Sequence, residues 1–372
     1  MTDPPKHRGK PGETSESEVP TLRMIAWEVT RRCNLNCVHC RAAAERGPYP
    51  GELGTGEALA LIDEIVSFTR PVVILTGGEP LMREDIYDLA SYGTQKGLRM
   101  VMAPNGTLLD AEKAARLKAS GIQRVSISLD GATAETHDRF RQVEGAFSGA
   151  LRGIEFLKGA GLEFQINTTV TQKNFGELPR LLDLAVNLGA AAHHIFLLVP
   201  TGRGREMKGE AIDGEQYERI LHWFYDQREE VPLQLKATCA PHYYRILRQR
   251  ARGEGKKVTP QTHGLDAMTR GCLGGIGFLF ISHVGDVQPC GYLEAFSGSV
   301  KRQRLRDIWE SSPVFRRMRD FSALQGRCGR CEYTRVCGGC RARAFERSGD
   351  FMSEEPLCVY QPGGSPPARP PL

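Results

Sequence analysis

The spacing Cys33-x3-Cys37-x2-Cys40 constrains this chain more than any other feature of it. The motif follows directly on an apolar run, Leu22 to Val29, that reads as a strand. Three thiols are therefore gathered in one tight turn, in which Asn34 and Asn36 tolerate bent backbone. Three thiolates can hold three irons of a cubane 4Fe–4S cluster. No fourth cysteine lies nearby; the next is Cys239, about two hundred positions on. One iron is then open to a small molecule. A zinc knuckle lacking a ligand, or buried free thiols, are the bland alternatives, and structural zinc wants four ligands.

Composition bounds the rest. At 372 residues the chain has room for one large domain and a smaller one. Its net charge of +5 is too small and too dispersed to argue for a nucleic-acid partner. No apolar run approaches the length of a membrane span. Residues 1–21 are polar, lack the apolar core of a secretory signal and read as a disordered leader; residues 361–372, rich in Pro and Gly, read as a disordered tail. Eleven cysteines without an export signal imply a reducing, cytoplasmic setting, where clustered thiols mean metal and not disulfides.

From Met24 to Val199 strand and helix alternate. Apolar, β-rich runs stand at Met24–Val29, Val72–Thr76, Leu98–Ala103, Arg124–Leu129, Phe164–Val170 and His194–Val199, separated by helical patterns. Such alternation predicts parallel strands joined by right-handed crossovers. Six units fall short of the eight of a closed barrel, so the expected fold is α/β, a partial (β/α)6 barrel at 22–235. A cysteine-rich domain at 236–360 follows. A doubly wound sheet is the structural alternative, and in both folds the site lies at the carboxyl ends of the strands.

The notable residues sit at those ends. Strand two runs into Thr76-Gly77-Gly78-Glu79-Pro80, whose glycines permit close approach and whose carboxylate can grip an ammonium group. Strand three ends in Pro104-Asn105-Gly106, where Asn105 either touches a ligand or caps the turn. Alternation puts Ser126, Ser128 and Asp130 of strand four on one face, where hydroxyls and a carboxylate suit a sugar. His137-Asp138-Arg139-Phe140-Arg141 reads as a charged cap on the next helix. Gly202-Arg203-Gly204-Arg205 could face an anionic ligand, and Pro241–Lys256 reads as a basic helix. His193 and His194 are placed before strand six, away from the chemistry.

Cys33-x3-Cys37-x2-Cys40, with His39 before the last cysteine and Gly77-Gly78-Glu79 after the next strand, resembles the radical S-adenosylmethionine (SAM) enzymes. The resemblance implies a three-cysteine 4Fe–4S cluster whose open iron chelates SAM. It also implies that Gly77, Gly78 and Glu79 hold the amino group of SAM, and that Ser128 and Asp130 lie near its ribose.

A second set of cysteines reads Cys272-x12-Gly285-x4-Cys290, then Cys328-x2-Cys331-x5-Cys337-x2-Cys340, then Cys358. A zinc ribbon is the structural alternative, but seven or eight thiolates exceed one zinc and match one or two cubane clusters. The pattern resembles the SPASM extension of radical SAM enzymes, departing from it once, with two residues instead of three before Cys340. Carried over by position, Cys328, Cys331, Cys337 and Cys358 hold an outer auxiliary cluster. Cys272, Cys290 and Cys340 hold an inner one, with Cys239 or an open iron completing it.

Three further segments, Ala237–Tyr244, Met268–Gly277 and Cys337–Ala344, resemble the haem-forming branch of the family, and within it most of all the Fe-coproporphyrin III decarboxylases of the siroheme-dependent pathway. That resemblance implies an iron-porphyrin substrate, two propionates converted to vinyls, and a reducing partner such as a ferredoxin or flavodoxin. It implies neither nucleic acid nor membrane. Siroheme deacetylation, haem d1 maturation, peptide modification and a non-enzymatic cluster scaffold are the alternatives, and a scaffold has no need of a SAM grip.

Overall fold

A computed structural model of the chain describes residues 19–363, so the leader and tail expected from the sequence lie outside the described residues, apart from 19–21 and 361–363. Seven strands form the first part: β1 (Met24–Thr30), β2 (Val72–Gly77), β3 (Arg99–Met102), β4 (Arg124–Ser128), β5 (Glu163–Val170), β6 (Ala192–Leu197) and β7 (Gln234–Thr238). They alternate with α1 (Thr55–Phe68), α2 (Ile86–Gln95), α3 (Ala111–Ala119), α4 (Ala134–Arg141), α5 (Ala146–Gly159), α6 (Leu178–Leu188) and α7 (Gly214–Gln227). Helix α8 (His242–Gly253) follows, then β8 (Phe278–Ile281), β9 (Asp286–Gln288) and β10 (Gly298–Ser299).

All strands join one sheet in the order β10-β9-β8-β1-β2-β3-β4-β5-β6-β7. β1 to β7 pair parallel in sequence, and β8 pairs parallel with the free edge of β1, Ala26 opposite Phe280. β7 and β8 do not meet, so the curved sheet is an open barrel. The sequence shows the first six of these strands. β7 and β8 escape it because one is short and polar and the other is a four-residue segment far downstream. The boundary expected at 235/236 falls inside β7.

The period of two sorts each strand into two faces. Val73 and Leu75 of β2, Val125 and Ile127 of β4, Ile166 of β5 and Ile195 and Leu197 of β6 are fully or nearly buried against the helices. On helix α6, Leu178, Leu181, Leu182 and Ala185 recur at helical spacing and close the same core. The alternate residues face the barrel interior. Polar residues are therefore placed around a cavity by the same rule that fills the core. Among the described residues no helix is long and apolar enough to cross a membrane.

Candidate active site and cluster centres

The loop after β1 carries Cys33 and Cys37, both buried, and Cys40, partly buried. The Cys37 and Cys40 sulfurs lie close enough to raise the pKa of Cys33, and Cys40 raises that of Cys37. Two accept backbone N–H groups from their own loop, from Leu35 to Cys33 Sγ at 3.5 Å and from Ala44 to Cys40 Sγ at 3.4 Å. Burial pushes the Cys33 thiol up to about 12 and the Cys37 thiol up as well. Such thiols ionise only when a cation replaces the lost hydration. Iron supplies that cation, and the inward N–H groups suit the charge that thiolates keep when they ligate it. The donor set fits a cluster.

The Gly77-Gly78-Glu79 turn braces that loop. A Cβ on Gly77 would stand 2.2 Å from the Thr30 carbonyl oxygen, and one on Gly78 would stand 2.3 Å from that of Arg32, so only glycine fits. The backbone N–H groups of Gly78 and Glu79 donate to those carbonyls, at 2.8 and 2.7 Å. The Glu79 carboxylate is fully buried and accepts from the N–H groups of Leu81 and Asn105, at 3.0 and 2.7 Å. Both oxygens thus hold backbone, and the side chain ties two loops together. Burial pushes its pKa up to about 7 against those two hydrogen bonds. Asn105 caps its turn through Thr107 and donates to Asn34 Oδ1 at 2.8 Å, which joins the β3 loop to the cysteine loop.

Beyond β4, Asp130 is fully buried and serves as a hub. It accepts from the Thr169 N–H at 2.7 Å, pairs with Arg141 and stands 3.5 Å from His39 Nε2. Burial works to raise its pKa, but Arg141, His39 and His137 overcome that and hold the carboxyl below its ordinary range. Asp130 thus positions the residues around it. Ser128 is partly exposed on the interior face, at the paired register of Asn167.

Two expectations about the basic residues change. Arg203 donates to the Cys37 and Ala44 carbonyls, both at 2.9 Å, and its own N–H donates to the Cys40 carbonyl. Gly202 turns at φ +54° where a side chain would strike the carbonyls of Cys40 and Arg41. This segment clasps the cysteine loop and is not a free anion-binding edge. Helix α8, expected as a basic face, buries Tyr243, Tyr244 and Arg245, and Arg245 pairs with Glu218. His193 and His194 lie within β6 and not before it.

The cysteines beyond the barrel sort into two sets of four. Cys328, Cys331, Cys337 and Cys358 line one cavity together with His242, Arg245 and Glu355. Cys239, Cys272, Cys290 and Cys340 form the other: Cys340, Cys290 and Cys272 lie near enough to raise the pKa of Cys239, and Cys272 those of Cys290 and Cys340. Burial pushes Cys290 and Cys358 up to about 12. Backbone N–H groups point at Cys290, Cys331 and Cys337 Sγ, at 3.4, 3.4 and 3.5 Å. Cys239 sits at φ +55°, a costly conformation for a side chain. Its carbonyl is pinned by Arg343 at 2.9 Å and by the Tyr217 hydroxyl at 3.1 Å. The short Cys337-x2-Cys340 spacing also has a physical account. Gly338 and Gly339 both take positive φ, +72° and +63°, so two residues suffice to turn the chain from one set to the other.

Residues 27–185 match the radical SAM superfamily and residues 272–341 match the iron–sulfur cluster-binding SPASM domain. The chain is 58% identical to an AdoMet-dependent heme synthase of Oleidesulfovibrio alaskensis, over 95% of this chain and 92% of that one. This chain belongs to the radical SAM heme synthase family. A Fe-coproporphyrin III synthase of Methanosarcina barkeri is 33% identical over 90% of this chain and 87% of that one. Among solved structures, Streptococcus suis SuiB bound to S-adenosylmethionine superposes with a TM-score of 0.73 at 16% identity, covering 92% of this chain and 78% of that chain. The last likeness is one of fold.

As a member of this family the chain is an enzyme that works with SAM and 4Fe–4S clusters, one in the barrel and one or more in the SPASM domain. Sequence reasoning missed Arg141, which donates from Nη1 to Cys37 Sγ at 3.5 Å. Its segment was visible, but no local signal says which helix-capping arginine reaches a cysteine about one hundred residues away. It also missed Arg343 and Glu355, both buried, which pair at 3.0 Å. The Glu355 N–H donates to Cys328 Sγ at 3.4 Å while Arg343 reaches the Cys239 carbonyl, so this pair spans the two sets.

Proposed function

We propose that the chain converts two propionates of Fe-coproporphyrin III to vinyls, giving haem b. For each propionate the carbon β to the carboxylate gives up a hydrogen atom, the carboxylate leaves as carbon dioxide, and one electron passes to an acceptor. SAM and the barrel cluster supply the hydrogen-abstracting radical. Cys33, Cys37 and Cys40 hold that cluster, and Gly77, Gly78, Glu79, Asn105, Ser128 and Asp130 frame SAM. Glu79 and Asp130 also pin the loops that carry the others. Cys239, Cys272, Cys290 and Cys340 would hold an inner auxiliary cluster, which would supply an acceptor for that electron. Cys328, Cys331, Cys337 and Cys358 hold an outer one. A reducing carrier of the ferredoxin or flavodoxin type serves the barrel cluster, in a cytoplasmic setting that keeps thiols reduced.

The observation that carries this reading is the 58% identity along nearly the whole chain to a heme synthase, against 33% to a relative named for making Fe-coproporphyrin III. The test is anaerobic incubation with SAM, reductant and Fe-coproporphyrin III, followed by mass analysis of the porphyrin. Loss of two carboxyl groups as carbon dioxide is expected. An unchanged porphyrin, with a siroheme derivative or a peptide accepted instead, overturns the substrate. Cys290→Ala should still cleave SAM yet form little vinyl product. A normal yield from that folded variant removes the electron sink.

A further inference from the structure

Fe-coproporphyrin III carries four carboxylates, and several arginines around the barrel mouth are already engaged. Arg141 holds Asp130, the Arg203 guanidinium holds two loop carbonyls, Arg205 pairs with Glu294 and Arg343 pairs with Glu355. The barrel interior offers a different set. Ser128 stands opposite Asn167, Asn167 opposite His194, and His194 opposite Lys236, so four polar residues lie at one register across β4 to β7. Leu235 and Ala237 pack on the core, so Lys236 between them faces inward. Across the barrel Ala26, Ile74 and Phe280 alternate with core residues, and the next residue on that face of β1, Glu28, is paired with Arg41 and His283.

We propose that His194 and Lys236, side by side on β6 and β7, hold a carboxylate of the substrate inside the barrel. The inference rests on the porphyrin reading above and names the side chains that read its acid groups.

Lys236 has no hydrogen bond or ion pair among the described residues. Its side chain is only partly accessible to solvent. Burial lowers its pKa, and Asp266 opposes that from a distance. A buried ammonium without a close counter-charge is destabilising, and a ligand carboxylate would relieve it. His194 supplies a second donor. The Gln165 amide donates to His194 Nδ1 at 3.0 Å, which leaves the ring proton on Nε2. Burial holds the ring neutral. An imidazole N–H beside an ammonium can then grip both oxygens of one carboxylate.

The test uses the reconstituted holoenzyme and follows binding of Fe-coproporphyrin III by its visible absorbance. Lys236→Met keeps the aliphatic stem and removes the charge, and binding should weaken roughly tenfold or more. Lys236→Arg should retain most of the affinity. The tetramethyl ester of the same porphyrin should bind native and Lys236→Met protein alike. Because the lysine lacks a partner, Lys236→Met should melt no lower than native; a clear fall in Tm would make the residue structural and overturn the inference. Equal affinity of native and folded Lys236→Met protein for the free acid also overturns it. If native protein fails to bind the porphyrin at all, the substrate reading falls, and this inference with it.

Discussion

Arg141 joins Asp130 to Cys37: one end of its guanidinium pairs with the buried carboxylate, and the other donates to the cysteine sulfur at 3.5 Å. The same carboxylate reaches His39 of the cysteine loop and the backbone of β5. One ionic hub thus fixes the loop, the helix after β4 and the neighbouring strand. An N–H pointed at a ligating sulfur stabilises its negative charge and is among the groups that set a cluster's potential.

Asp130→Asn should therefore act at a distance. It leaves a buried guanidinium without its counter-charge, a change that costs about 3 kcal/mol or more. Thermal unfolding should shift down clearly, and the anaerobic protein should hold less iron at the barrel site. Arg141→Gln, which loses the bond to sulfur as well, should lower the potential of that cluster in an EPR-monitored redox titration. An unchanged Tm for Asp130→Asn would show that the hub does not organise the loop.

Gly339→Ala tests the link between the two auxiliary sets. The added Cβ would stand 2.8 Å from Glu355 Cβ and 3.1 Å from Cys328 Sγ. A left-handed alanine costs roughly 1–2 kcal/mol before any clash. Iron analysis should show loss of auxiliary cluster, while SAM cleavage at the barrel persists. Full iron content would mean that the turn has more freedom than its geometry shows.

Acid should loosen the first strand through Glu28. Burial works to raise its pKa, but Arg41, His283 and Arg31 hold it at about 2, below an ordinary 4.5. The folded state thus binds fewer protons than the unfolded one. The stability from Glu28 is fully present above pH 4.5 and is lost as the pH falls towards 2. Under anaerobic conditions, Glu28→Gln should lower Tm at pH 7 and flatten the dependence of Tm on pH across that window. A parallel pH profile for the variant would refute the assignment.

Much of the barrel was legible because its signals are local. Leu178–Leu188 shows its apolar stripe in the sequence and forms a helix with those bounds. The polar and apolar positions of β4 alternate as a strand with one buried face must. The structural partners of Glu79 and Asp130 were less legible. A carboxylate beside a glycine pair reads as a ligand grip, and nothing local says that its oxygens also meet the N–H groups of Leu81 and of Asn105 in another loop. The arginines misled in the same way, since sequence gives charge but not the carbonyl or carboxylate that engages it.

By itself, then, the sequence determined the chemistry. Ligand type and spacing are properties of a few adjacent residues, so the three-thiol loop, the glycine turn and the carboxyl-terminal cysteines declare iron and SAM without a fold. Tertiary structure decided the partition and the neighbours. Cys239 joins Cys272, Cys290 and Cys340 because β7 ends beside them and Arg343 pins its strained backbone. His194 and Lys236 share one register because parallel strands distant in sequence pair side by side. Such placements depend on long-range packing, which no local spacing records.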